Sequence, residues 1–152
     1  MRVAIGSDHA GYPLKERLVK ELRHLGHEVI DCGTTAAEPA VDYPDFCFPV
    51  AEMVGEGRAE RGVVLGGSGI GEAIAANKVT GVRAGVVTSD ETARLARLHN
   101  DSNVLALGAR TNATEDAVRW LHLWLETPFE AGRHVARLRK IAEYEAAHLS
   151  KR

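Results

Sequence analysis

The run GGSGIGEAIAANK, from Gly66 to Lys78, follows the apolar Val63-Val64-Leu65 and leads into residues that favour helix. Its four early glycines, 66, 67, 69 and 71, let a backbone approach a ligand closely, and a following helix would add N–H groups free of intrahelical partners. Together they make a cradle for negative charge. The dinucleotide fingerprint fails, because glutamate stands where its last glycine is required, and the P-loop fails because no Gly-Lys-Ser/Thr follows. Glu72 would repel a resident phosphate. The same carboxylate could take a proton from a carbon whose neighbouring oxygen becomes anionic, which is the chemistry of enolisation. A plainer reading stays open, in which the glycines serve a tight turn and Glu72 only complements a helix dipole, for ~0.3–1 kcal/mol.

The elements that must position this loop alternate as short β-rich runs and longer amphipathic ones, separated by glycine or small polar residues. Strands are expected at 3–5, 28–32, 63–65, 83–87 and 104–107. Helices are expected at 12–25, from about 46 to 57, 91–99, 114–125 and 133–149, with Pro13 opening the first and Gly26 stopping it. Residues 33–44 are too polar and too broken for regular structure and read as a surface loop. Short strands separated by helices predict a parallel sheet covered on both faces, with ligands at the carboxyl ends of its strands. Those ends carry Ser7-Asp8-His9, Gly66 to Gly71, Thr88-Ser89-Asp90 and Gly108-Ala109-Arg110.

A chain of 152 residues is one domain by length and buries roughly 68–70% of the surface its unfolded form exposes. Cys32 and Cys47 form no CxxC or Cys/His cluster, so two reduced thiols are expected and no disulfide, metal or cofactor. Nineteen basic and twenty-one acidic residues leave a net charge of −2, which gives no general attraction to nucleic acid or an anionic membrane. No stretch approaches the ~20 apolar residues of a membrane span, and the expectation is a soluble, cytoplasmic protein.

The words SDHAG (7–11), DYPDF (42–46), GGSGIGEAIAANK (66–78), RLHNDSNVLALGAR (97–110) and GRHVARL (132–138), in this order, resemble ribose-5-phosphate isomerase of the B type. That family also includes galactose-6-phosphate and allose-6-phosphate isomerases. The resemblance implies a three-layer α/β/α, Rossmann-like fold with a five-stranded parallel sheet. It also implies a homodimer, with active sites between subunits and a C-terminal helix packed on the partner, and metal-free aldose–ketose isomerisation through a cis-enediolate. Carried over by residue, Gly67, Gly69, Ile70 and Gly71 become the backbone hole for the enediolate oxygen, and Ser68 a hydroxyl donor to it. His99 becomes the ring-opening acid/base, with Asp8, His9 and Asn100 on sugar hydroxyls. Arg110, Arg133 and Arg137, with His134 nearby, become the phosphate grip. Many members carry a cysteine base where this chain has Gly66. A second branch places a glutamate after the last loop glycine, as Gly71-Glu72 does here, so Glu72 is the implied base and both cysteines are dispensable.

These roles are chemically reasonable. A sugar phosphate is mostly a closed ring, so a group near neutral pKa must shuttle a proton to the ring oxygen before C1 and C2 can exchange one, and histidine suits that step. His99 could equally be a helix-end residue complementing the dipole. Arg133 and Arg137, four apart, can converge on one phosphate, although most such pairs are a solvated basic face. Val135, Leu138, Ile141 and Ala142 form an apolar stripe on the same helix, suited to a dimer interface. Trp120 and Trp124 read as core or interface anchors, and Tyr43 as a wall of the pocket. Three alternatives stand beside this reading: the same chemistry on a tetrose or hexose phosphate, half of a hetero-oligomeric isomerase, and a non-catalytic phospholigand-binding module.

Overall fold

The computed structural model describes residues 1–149. Five strands, β1 (Arg2–Ser7), β2 (Glu28–Asp31), β3 (Arg61–Gly66), β4 (Ala84–Val86) and β5 (Val104–Gly108), form one parallel sheet in the order β2-β1-β3-β5-β4. Six helices accompany them: α1 (Tyr12–His24), α2 (Pro44–Gly55), α3 (Ile70–Ala76), α4 (Asp90–Leu98), α5 (Thr114–Glu126) and α6 (His134–His148). β1, β3 and β5 run beyond the expected bounds because ladder pairing continues there, as in Ser7 against Leu65 and Gly66 against Gly108, whereas β2 and β4, the edge strands, stop short of theirs. α2 starts at Pro44, two residues before the expected start, since a proline in the first turn sacrifices no helical hydrogen bond. Gly26, at φ 87°, ends α1 in the left-handed conformation expected of a helix stop.

Alternate strand residues feed two different cores. Val3, Ile5, Val63, Leu65, Leu105 and Leu107 face large side chains, among them Leu18 and Leu22 of α1 and Trp120 and Trp124 of α5. Ala4, Val64, Val104 and Ala106 face smaller ones, Cys47 and Val50 of α2 and Ala73 and Ala76 of α3. Both tryptophans are therefore core residues, and each indole N–H is satisfied, Trp120 donating to Asp90 and Trp124 to Ser102. α6 differs from the other helices: of its residues only His134 is buried, while Val135, Ile141 and Tyr144 stand exposed. No helix among the described residues is long and apolar enough to cross a membrane.

Candidate active site

β1 and β3 are neighbours whose chains leave in opposite directions across the sheet, β1 toward β2 and β3 toward β5, which makes a crevice at their carboxyl ends. Asp8 and His9 follow β1, and the glycine loop follows β3. Asp8 is buried and accepts a hydrogen bond from the Gly11 N–H at 3.0 Å. His9 Nδ1 accepts from the Val41 N–H at 3.1 Å, so the neutral ring carries its proton on Nε2 and presents a donor there. The loop bearing Val41 is tied back through buried Lys15, whose Nζ donates to Asp31 at 2.5 Å and whose stem packs on Gly33. Across the crevice, Arg110 lies over Gly67, with its backbone N–H bonded to the Gly67 carbonyl at 3.0 Å.

Gly69, at φ 81°, turns the chain into α3 and lies against the backbone of Leu107 and Gly108, a position no side chain could share. Ser68 Oγ accepts from the Ile70 N–H at 3.2 Å, leaving its O–H free to donate. Glu72, in the first turn of α3, is only 3% exposed, and its Oε2 has no hydrogen-bond partner among the described residues. Burial pushes its pKa up and the nearby Asp8 adds to the effect, against the pull of the Glu72 and Gly69 N–H groups. A buried, underbonded carboxylate held closer to neutrality is a competent general base.

The position of that carboxylate depends on Gly66. A Cβ at residue 66 would collide with Oε1 and Cδ of Glu72 and lie 3.1 Å from its Cγ. The glutamate thus occupies the volume that a side chain at 66 would need, and one site cannot hold both in these positions. Cys47 does not substitute as a thiolate, because burial, followed by the charges of Glu72 and Asp8, pushes its pKa up to about 12. Tyr43 forms a wall: its ring lies where a Cβ on Gly71 would go.

His99, Asn100, Arg133, His134 and Arg137 lie elsewhere. α4 returns antiparallel to the strands, so its C-cap, His99, sits at the amino end of the sheet. A nine-residue helix spans ~14 Å at 1.5 Å per residue, which puts His99 about that far from the carboxyl ends where Glu72 sits. Buried Arg97 anchors this region, donating to the Ser102 carbonyl at 2.6 Å and to Asp101 at 2.8 Å. The His99 and His134 rings stack at 4.2 Å between centroids, 18° from parallel. Burial, then the charges of His99 and Arg133, lower the His134 pKa and so favour the neutral ring. Arg133 caps α6 and Arg137 lies one turn on, both exposed.

A family described as Ribose/Galactose Isomerase matches residues 3–141. The chain belongs to this family. It is 44% identical over 149 residues to ribose-5-phosphate isomerase B of Mycobacterium tuberculosis, covering 97% of this chain and 92% of that one. Against the Escherichia coli ribose-5-phosphate isomerase B the identity is 42%, with 95% and 96% covered. The solved ribose-5-phosphate isomerase B of Clostridium thermocellum superposes with a TM-score of 0.94 at 48% identity, covering 97% of this chain and 99% of that one. That of Mycoplasma genitalium, with ribulose-5-phosphate bound, gives 0.93 at 38% identity, covering 95% and 96%.

As a ribose/galactose isomerase family member, the chain brings Asp8, His9, the glycine loop, Glu72, Tyr43 and Arg110 together, and keeps the His99 group apart from them. Thr88, Ser89 and Asp90, at the end of the edge strand β4, lie away from the crevice: Ser89 and Thr92 form a capping box and Asp90 binds Arg119 and Trp120. His134, expected near the phosphate arginines, is buried against the His99 ring. Reading the sequence also missed Glu130, whose Oε2 lies 3.7 Å from His99 Nε2 and 3.4 Å from His134 Nε2. Its placement depends on two left-handed residues, Ala131 and Gly132, and an alanine gives no warning of that conformation.

Proposed function

We propose that this chain interconverts D-ribose 5-phosphate and D-ribulose 5-phosphate, with each active site built from two copies. The observation that carries this reading is the buried Glu72 carboxylate beside the Gly67–Gly71 cradle, in the volume a side chain at 66 would need. Ring opening comes first. The C1–O4 bond breaks with its electron pair going to O4, which takes a proton from His99, while the O1 proton passes back to the imidazole so freed as the aldehyde forms. Glu72 then removes the proton from C2, the C1–C2 double bond forms, and the loop N–H groups and Ser68 hold the negative charge on O1. Returning the proton to C1, with transfer of the O2 proton to O1, completes the ketose. Asp8, His9 and Asn100 bind the hydroxyls, and Arg110, Arg133 and Arg137 the phosphate.

Separation supports the two-copy arrangement, since Glu72 and His99 of one copy lie at opposite ends of the sheet, a helix length of ~14 Å apart. Exposed apolar side chains supply the contact: Ile70 and Ile74 of α3, each 58% exposed, and Val135, Ile141 and Tyr144 of α6. Comparing kcat/KM across four-, five- and six-carbon aldose phosphates tests the substrate. A pentose preference is expected, and a preference for the tetrose or hexose would replace the assignment. E72Q tests the base, with a loss of ~10²–10⁴ expected, and near-normal turnover would refute it.

A further inference from the structure

Glu130 has a geometry that its neighbours do not otherwise need. Its backbone N–H is bonded to the Leu98 carbonyl at 3.0 Å, which pins the residue to the end of α4 next to His99. Ala131 and Gly132, at φ 59° and 55°, then reverse the chain and deliver His134 onto the His99 ring. One carboxylate oxygen consequently faces the Nε2 edges of both imidazoles. The three side chains are close enough to suggest a metal triad, all ligand atoms lying within 4.8 Å of one another. The stacking opposes it: an imidazole ligates a metal in its own ring plane, and two nearly parallel planes cannot share one ion.

We propose that Glu130 is the positioning residue of His99. Its carboxylate faces Nε2 and selects the tautomer with the proton there, leaving Nδ1, which has no hydrogen-bond partner among the described residues, as the nitrogen that exchanges a proton with the sugar. A carboxylate on one ring nitrogen also stabilises the imidazolium formed when the other nitrogen is protonated. The other charged side chains acting on His134 are Arg133 and Arg137, which favour its neutral form. Asp101 is already committed to Arg97 and Arg83. Glu130 is therefore the carboxylate that orients the His99 ring, while His134 serves as its stacking support.

This inference rests on the ring-opening role of His99, and the two can be tested separately. Ribulose 5-phosphate is open-chain, because the hydroxyl that would close its ring carries the phosphate, whereas ribose 5-phosphate must be opened. The ratio of kcat/KM in the two directions is fixed by the equilibrium constant, so the steps are separated by readout: exchange of the ketose C1 hydrogen with D2O needs only the base and the cradle, whereas net isomerisation also needs the ring step. E130Q is expected to lose about ten- to a hundredfold in kcat/KM for isomerisation, part of the ~10²–10⁴ of general acid–base catalysis, and to keep the ketose C1 exchange within roughly threefold. H99N should show the same split, larger. A split in H99N with none in E130Q would overturn the Glu130 role alone. Equal loss of exchange and isomerisation in H99N would overturn the His99 reading beneath it. E130D, which keeps the charge but withdraws it by one methylene, should fall between wild type and E130Q. Nitrogen-15 NMR of the His99 ring supplies a readout independent of turnover: one Nε2–H tautomer in the wild type and a mixture in E130Q, with an unchanged tautomer refuting the proposal.

Discussion

The two ends of the sheet are built on opposite principles. At the carboxyl end the candidate groups are packed among glycines, and both carboxylates, Asp8 and Glu72, are buried almost out of solvent. At the amino end they are long cationic and aromatic side chains, and Arg133 and Arg137 stand exposed at the start of a helix that rests lightly on its own chain. Polar dissatisfaction marks both ends. Among the described residues, the buried side-chain nitrogens and oxygens without a hydrogen-bond partner are Ser7 Oγ and Glu72 Oε2 at one end and His134 Nε2 at the other. Native folds rarely leave such atoms unpaired, and where they do, the group often belongs to a site completed by something else. In the proposed reading each end is half of a site: one holds the base, the oxyanion cradle and a single arginine, Arg110, and the other the ring-opening acid and the arginine pair without a cradle.

The sharpest way to break this comparison is at Gly66. G66A should displace the Glu72 carboxylate and cost ~10²–10⁴ in turnover, as removing a base does. In an E72A background the same substitution should add little, because the collision is gone. Additive losses in that cycle would mean that Gly66 matters for some other reason. Complementation is the next test. Neither E72Q nor H99N should turn over ribose 5-phosphate well alone, but in a refolded equimolar mixture roughly a quarter of the sites would combine two intact halves, by random pairing of subunits in a two-fold dimer. No recovery in the mixture would argue that each chain completes its own site.

A charge on the exposed stripe of α6 probes the contact. V135D/I141D should leave the fold intact, since both side chains are exposed, but shift the chain toward monomer in sedimentation and make activity fall on dilution. Unchanged sedimentation would move the interface elsewhere. The smallest effect concerns the base as an ordinary buried carboxyl. Its pKa is raised in the fold, so the folded chain binds that proton more tightly than the unfolded chain does. Its contribution is therefore most favourable below the unfolded carboxylate range and is lost as pH rises through the raised native value. E72Q should melt above the wild type at neutral pH, with the difference closing as pH falls toward 4.5, the ordinary value for a glutamate. The kcat/KM profile of the wild type should rise with pH over the same group. A wild-type melting temperature equal to that of E72Q at pH 8 would contradict the burial argument.

Much of the crevice was legible in the sequence because it is local. The donor cradle and Glu72 lie within seven consecutive residues, and the carboxyl-end rule for parallel strands places Asp8, His9 and Arg110 beside them. Thr88, Ser89 and Asp90 satisfied the same rule but lie away from the crevice, because the rule ranks all strands alike while only the order β2-β1-β3-β5-β4 says which are central. Glu130 was invisible for a related reason. Its role depends on a backbone reversal at Ala131 and on a contact across about thirty residues with His99, and neither leaves a periodicity or a spacing to read.

The sequence by itself determined the layers, since apolar runs of strand length separated by amphipathic helices can bury their surface only as a covered parallel sheet. It also determined the chemical content of the glycine loop. The tertiary structure decided how those parts can be used. It set Glu72 in the space vacated at Gly66, buried His134 against His99, and put the two sets of functional groups at opposite ends of the sheet. Side-chain volume and chain direction are properties of three-dimensional packing, and a linear pattern carries neither.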